Sequence, residues 1–164
     1  MAERADSAID WGAIQMLALD FDGVMTDNRV LVDQDGREAV MVHRGDGWGI
    51  ARLAEAGTEV VVVSTETNPV VAARCRKLNI EAVQGSDDKL ASLKVLARAR
   101  GLDPGQIAYV GNDVNDHACM DWVGVPIAVA DAVPEVRAAA RRVTTRSGGR
   151  GAVREVADWI LAAR

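Results

Sequence analysis

The sequence predicts an α/β fold: a Rossmann-like three-layer sandwich with a mainly parallel sheet and a small β-hairpin flap. Three observations carry this. Short apolar, β-branched runs alternate with stretches of helical periodicity along the 164 residues. Gly, Asn or Pro punctuates many of the joins. Clusters of Asp, Asn, Ser and Thr follow the apolar runs, at the strand ends where ligands of such sheets bind.

Residues 14–19 read as the first strand, ended by Asp20-Phe21-Asp22-Gly23-Val24. Residues 29–32 and 38–43 flank Asp33-Gln34-Asp35-Gly36 and read as a hairpin, a flap over about residues 28–43. Residues 48–56 look helical and stop at Gly57, which suits the position just past a helix end. Glu59–Val63 is a β-branched run and reads as a buried strand. Asn68 and Pro69 open a helix that runs to about residue 78. A short strand at 80–83 precedes a helix at 87–100, ended by Gly101. Strands at 107–110 and 127–129 enclose a short helix at 115–120, and helices at 134–142 and 153–163 complete the chain. No repeat, low-complexity segment or linker divides it, so residues 1–164 are expected to form one domain.

Composition narrows the function. A net charge of −5 argues against a generic nucleic-acid binder, and no apolar stretch is long enough to span a bilayer. The first ten residues are polar and lack the apolar core of a signal peptide. Cys75 and Cys119 make neither a disulfide framework nor a metal-ligand spacing. The expected location is the cytoplasm, with no nucleic-acid or membrane partner.

Four polar clusters follow successive strands: Asp20, Asp22 and Thr26; Ser64-Thr65-Glu66; Lys89 after Gly85-Ser86-Asp87-Asp88; and Gly111-Asn112-Asp113-Val114-Asn115-Asp116. Each alone reads as an ordinary turn, cap or solvated lysine. Phosphoryl transfer is the chemistry that uses them together. A carboxylate attacks phosphorus, a second acid handles the proton, and a hydroxyl and a lysine hold phosphate oxygens. A hard dication with oxygen ligands relieves repulsion among the acids.

These residues resemble the haloacid dehalogenase-like phosphatases: Asp20-x-Asp22-x-Val24, Ser64 after a strand, Lys89 and Gly-Asn-Asp-x-x-Asp occur in the family's order. The resemblance implies Asp20 as nucleophile, Asp22 as general acid/base, and Ser64 and Lys89 as phosphate ligands. It implies Mg2+ on the Asp20 carboxylate, the Asp22 carbonyl and Asn112. Many members carry Asp where this chain has Asn112, so Asp113 or Asp116 is expected to compensate. The intervals after the first and second motifs leave no room for a cap domain.

Arg44-Gly45-Asp46-Gly47-Trp48-Gly49-Ile50 and the segment from Gly148 to Glu155 are similar to a capless group acting on phosphorylated 2-keto-3-deoxy sugar acids. That group includes 3-deoxy-octulosonate 8-phosphate phosphatases, nonulosonate 9-phosphate phosphatases and the phosphatase-like C-terminal domains of acylneuraminate cytidylyltransferases. Its members are typically tetramers in which the hairpin and a neighbour's tail close the site. His43, Asp46 and Gly47 are then expected in a substrate loop. Glu66, Arg74 and Lys77 are expected to choose the substrate, Arg74 and Lys77 sharing a helix face. Their pattern is similar to the nonulosonate type, which makes a nonulosonate 9-phosphate the expected substrate. The alternatives are the octulosonate 8-phosphate, a permissive small-phosphate phosphatase, and a non-catalytic module partnering a cytidylyltransferase.

Overall fold

A computed structural model describes residues 8–164. The reading of the first residues as free of a signal peptide falls mostly on residues 1–7, outside the described residues.

In chain order, β1 (Met16–Leu19) leads into a hairpin of β2 (Thr26–Val32) and β3 (Glu38–Val42), then α1 (Arg44–Glu55). β4 (Glu59–Val63), α2 (Val70–Leu78), β5 (Glu81–Val83) and α3 (Lys89–Arg100) follow. β6 (Ile107–Gly111), α4 (His117–Trp122), β7 (Val125–Ala128), α5 (Pro134–Ala139), β8 (Arg142–Val143) and α6 (Ala152–Leu161) complete the fold. The main sheet has the order β5-β4-β1-β6-β7-β8, and every pairing is parallel. The Rossmann-like expectation therefore holds. Among the described residues only the hairpin stands apart from this sheet, and no cap domain is present.

All residues of β1 and β6 are buried, as expected of parallel strands covered on both faces. α1 packs on α6, and α3 on α4. Leu19 pairs with Val62 on one side and Val110 on the other. Asp20, Ser64 and Asn112 thus leave three adjacent strands at nearly one level. The chain winds outward from β1 in both directions, and the switch between β1 and β6 is where such sheets bind ligands.

Some local expectations are corrected. α1 begins at Arg44 instead of residue 48, so the Arg-Gly-Asp-Gly stretch is a helical turn and not a loop. The two glycines weaken helix propensity there, but the His43 ring accepts from Gly45 N at 3.1 Å and caps the turn. Val114–Asp116 is a 3-10 turn ahead of α4. The helix expected to reach residue 142 stops at Ala139, and the chain adds β8 beside β7. A two-residue edge strand is too short to have a period of its own.

The segment after β8 returns to the start of the fold. Gly149 N donates to Val24 O at 3.0 Å. A Cβ on Gly148 would overlap Gly23 O, and one on Gly149 would overlap Asp27 N. Backbone lies directly on backbone here, which only glycine permits.

Candidate active site

The Asp20 loop is held by the sheet and by one hydroxyl. Asp20 N donates to Val110 O at 3.0 Å, extending the β1–β6 ladder by one residue. Thr26 Oγ1 accepts from Gly23 N and Asn28 N, both at 3.1 Å, and so pins the turn. Asp20, Asp22, Asn28, Ser64, Thr65, Asn112, Asp113, Val114 and Asn115 line one cavity of about 280 Å³. Three of the four polar clusters predicted from sequence thus line one cavity.

Lys89 sits on the first turn of α3, whose N-terminus is capped by Asp88 accepting from Ala91 N at 2.9 Å. Its buried ammonium lies 2.8 Å from both Asp20 Oδ1 and Asp116 Oδ1. Asp116 is fully buried and fully engaged. Its Oδ1 also accepts from Tyr109 OH at 2.7 Å, and its Oδ2 accepts from Asn112 N at 2.8 Å. Gly111 is required beside it, because a Cβ there would press on the Asp116 carboxylate. Asp116 therefore holds Lys89 and the Asn112 backbone and has no oxygen left to replace a metal ligand.

Burial first, and Asp116 second, push the Asp20 carboxyl up to about 7 against the pull of Lys89. Asp22 is also raised, by burial and then by the Glu66 charge. Burial lowers the Lys89 ammonium, but Asp20 and Asp116 together outweigh it and leave the group raised. Tyr109 is pushed well above its ordinary value by burial and by Asp116, so it stays a donor.

One end of the Asn112 amide faces Asp22 O at 3.0 Å and Asp20 Oδ2 at 3.2 Å. With oxygen at that end, three oxygens meet with no proton between them. Neighbouring oxygens around an octahedral magnesium ion are also about 3 Å apart, given metal–oxygen distances of about 2.0–2.1 Å. The donor set of carboxylate, amide and carbonyl is hard and suits magnesium. It includes one acidic side chain, and among the described residues no group of three His, Cys, Asp or Glu side chains could hold an ion. Asp113 was expected as a further ligand, but its Oδ1 accepts from Val114 N at 2.7 Å and caps the 3-10 turn.

Other expected residues lie elsewhere. The Glu66 carboxylate accepts from Thr67 N at 2.7 Å and Asn68 N at 2.8 Å, closing its own loop on the rim. Arg74, Lys77 and Gly47 line a separate groove between α1 and α2 with Arg44 and the exposed Trp48. The Arg74 Nε is buried and has no hydrogen-bond partner among the described residues. His43 borders a third cavity with Arg146, Glu155 and Trp159. Asp46 is buried, its Oδ1 accepting from Arg154 N at 2.9 Å at the start of α6. His43, Asp46, Gly47, Arg74 and Lys77 are therefore outside the Asp20 cavity in this chain, and His43 and Asp46 serve as helix caps.

Sequence reasoning missed Tyr109 and Gly23. Tyr109 had a signal: it is the single tyrosine, inside an otherwise aliphatic strand, and a buried hydroxyl needs a partner. Gly23 has φ +84°, and a Cβ there would overlap the Asn112 amide. That contact spans 89 residues of chain and has no local signature.

The fold and site define a hydrolase of the haloacid dehalogenase-like type, and the chain belongs to that family: its model matches residues 48–156. More particularly, the chain is 38% identical to the 3-deoxy-D-manno-octulosonate 8-phosphate phosphatase of Escherichia coli K12 over 152 residues, 92% of this chain and 81% of that protein. A structure from Streptomyces avermitilis, described only at the level of this hydrolase family, has 56% identity and a TM-score of 0.89, over 91% of this chain and 86% of that one. The octulosonate phosphatase of Moraxella catarrhalis, solved with a magnesium ion, a phosphate ion and a KDO molecule, has 31% identity. Its TM-score is 0.91, over 94% of this chain and 90% of that chain.

Proposed function

We propose that the protein is a magnesium-dependent phosphatase of a 2-keto-3-deoxy sugar acid, with 3-deoxy-D-manno-octulosonate 8-phosphate as the preferred substrate. The observation that carries the chemistry is the buried Asp20–Lys89–Asp116 cluster opening on a cavity shared with Asp22, Ser64 and Asn112. The named activity of the relatives supports the octulosonate over the nonulosonate expected from sequence. The engagement of Glu66 with its own loop also weakens the residue on which the nonulosonate reading leaned.

Asp20 attacks phosphorus as the bond to the sugar oxygen breaks, and the Asp22 carboxyl gives its proton to that oxygen. Asp22, now a carboxylate, takes a proton from water, which attacks the aspartyl-phosphate and releases inorganic phosphate. A raised Asp22 suits the first of these roles. Ser64 and Lys89 hold phosphate oxygens, and the fixed ammonium offsets charge as it develops. Magnesium, held by the Asp20 carboxylate, the Asp22 carbonyl and Asn112, would supply further positive charge at the phosphate and keep Asp20 ionised.

The cavity of about 280 Å³ would hold the phosphate end beside Asp20 and Ser64, with the sugar directed toward the rim. Val30, Leu31, Val32 and Met41 are exposed on the hairpin, Leu31 at 71% and Met41 at 73%, which supports self-association through this flap. A homotetramer of single-domain chains would let a neighbour's groove, with Arg74 and Lys77, meet the sugar-acid carboxylate.

The test is phosphate release with magnesium from the octulosonate 8-phosphate, a nonulosonate 9-phosphate and an aryl phosphate. The octulosonate should be fastest, and Asp20→Asn should lower its rate by at least about 10³-fold. Preference for the nonulosonate would reinstate the Glu66 reading, equal rates would indicate a permissive enzyme, and inertness toward all three would favour the cytidylyltransferase-partner module.

A further inference from the structure

The geometry points to a two-position amide at Asn112: without metal its nitrogen closes the site, and magnesium enters by turning its oxygen inward. This rests on the magnesium reading above and concerns what Asn112 does when the ion is absent. The Asn112 backbone is fixed at both ends. Its N–H donates to Asp116 Oδ2 at 2.8 Å, and its carbonyl accepts from Val133 N at 2.9 Å. The side chain is buried, so turning the amide over is the freedom left to it.

The two positions differ in what they satisfy. Turned inward, the nitrogen donates to Asp22 O at 3.0 Å and to Asp20 Oδ2 at 3.2 Å. Both acceptors are then bonded without any ion. Turned inward, the oxygen faces those same two acceptors and needs a cation between them. The two ends of an amide are nearly equal in size, so neither position demands repacking. Gly23 lies against the outer end, and the missing Cβ at φ +84° leaves the space for it.

A carboxylate at this position could not do this. It would set an anionic oxygen against Asp20 Oδ2 and Asp22 O, and the metal-free site would be held apart by repulsion. Asn112 therefore gives a site that rests in a closed, satisfied form and binds the ion more weakly, because binding must break two hydrogen bonds and gains one less charge.

The experiment uses magnesium alone, with no substrate. In metal-free wild-type protein the Asn112 side-chain amide protons, followed by ¹⁵N NMR, should exchange slowly. On saturation with magnesium they should shift and exchange faster. By calorimetry, Asn112→Asp should bind magnesium about 10-fold more tightly or better. Metal-free Asn112→Asp should melt below metal-free wild type, and the gap should shrink when both are saturated. Amide signals that stay still while magnesium binds would overturn the inference alone, and this reading needs no variant to fold. A variant that binds no tighter and is equally stable without metal would also overturn it. Absence of any magnesium binding by wild type would overturn the magnesium reading together with it.

Discussion

Replacing Lys89 by Met keeps an unbranched apolar stem one atom shorter and removes the charge. In the native protein the ammonium sits 2.8 Å from each of two buried carboxylates. Without it Asp116 still receives Tyr109 OH and Asn112 N, and Asp20 keeps only Phe21 N on its Oδ1, at 2.7 Å. Two buried anions are then left without their cation, a class of change that costs about 3–5 kcal/mol. For a chain of 164 residues this corresponds to a fall in Tm of about 6–20 °C. The sign of the pH dependence follows. Loss of the cation removes the pull of Lys89 and raises the folded-state pKa of Asp20 further above its unfolded value, so the penalty is full where Asp20 must be ionised. It is relieved as pH falls through the raised folded value. The gap between wild type and Lys89→Met should therefore be widest near neutral pH and narrow on acidification. Urea unfolding in a chelator at pH 7.5 and pH 5 measures it. A gap below about 1 kcal/mol at pH 7.5, or one that widens at pH 5, would refute the reasoning.

Tyr109→Phe removes one donor from Asp116 and should cost about 1–2 kcal/mol by urea unfolding, while lowering phosphate release through the looser Lys89. Gly148→Ala drives a Cβ into Gly23 O and should cost at least about 2 kcal/mol together with activity; Gly36→Ala, at φ +76° with open space around it, should cost only about 1 kcal/mol and leave activity intact. The Arg100 guanidinium donates to Glu59 Oε2 at 2.7 Å and holds that carboxyl below its usual 4.5. Its contribution is present above the unfolded pKa and lost as pH falls through the folded one. Arg100→Met should therefore lose a few tenths to about 1 kcal/mol at neutral pH, with the difference from wild type fading below about pH 4.5.

The sheet was legible because its strands are buried on both faces and carry unbroken apolar runs, as Glu59–Val63 does after its first residue. The polar clusters were legible because parallel strands send all their carboxyl ends to one edge. What escaped was whatever depended on contacts across the fold. Arg44 to Gly47 has weak helix propensity, and its helical turn depends on the His43 cap and on Asp46 reaching Arg154. The same burial takes Asp46 away from any role on the surface. Asp116 is a fixed acid at predictable spacing, yet its four donors come from α3, β6 and its own turn. Local spacing finds such a residue but not its partners, which is why it was read as a spare ligand.

The contact of Gly148 and Gly149 with residues 23–27 sets the order of synthesis against the order of assembly. Asp20 and Asp22 emerge from the ribosome before the backbone surface that supports their loop, which follows some 125 residues later. The acid pair cannot take its final form until Gly148 and Gly149 are available. A nascent chain cut between Asp116 and Gly148 would carry every predicted catalytic acid, the serine and the lysine, and still lack a settled loop on which to mount them.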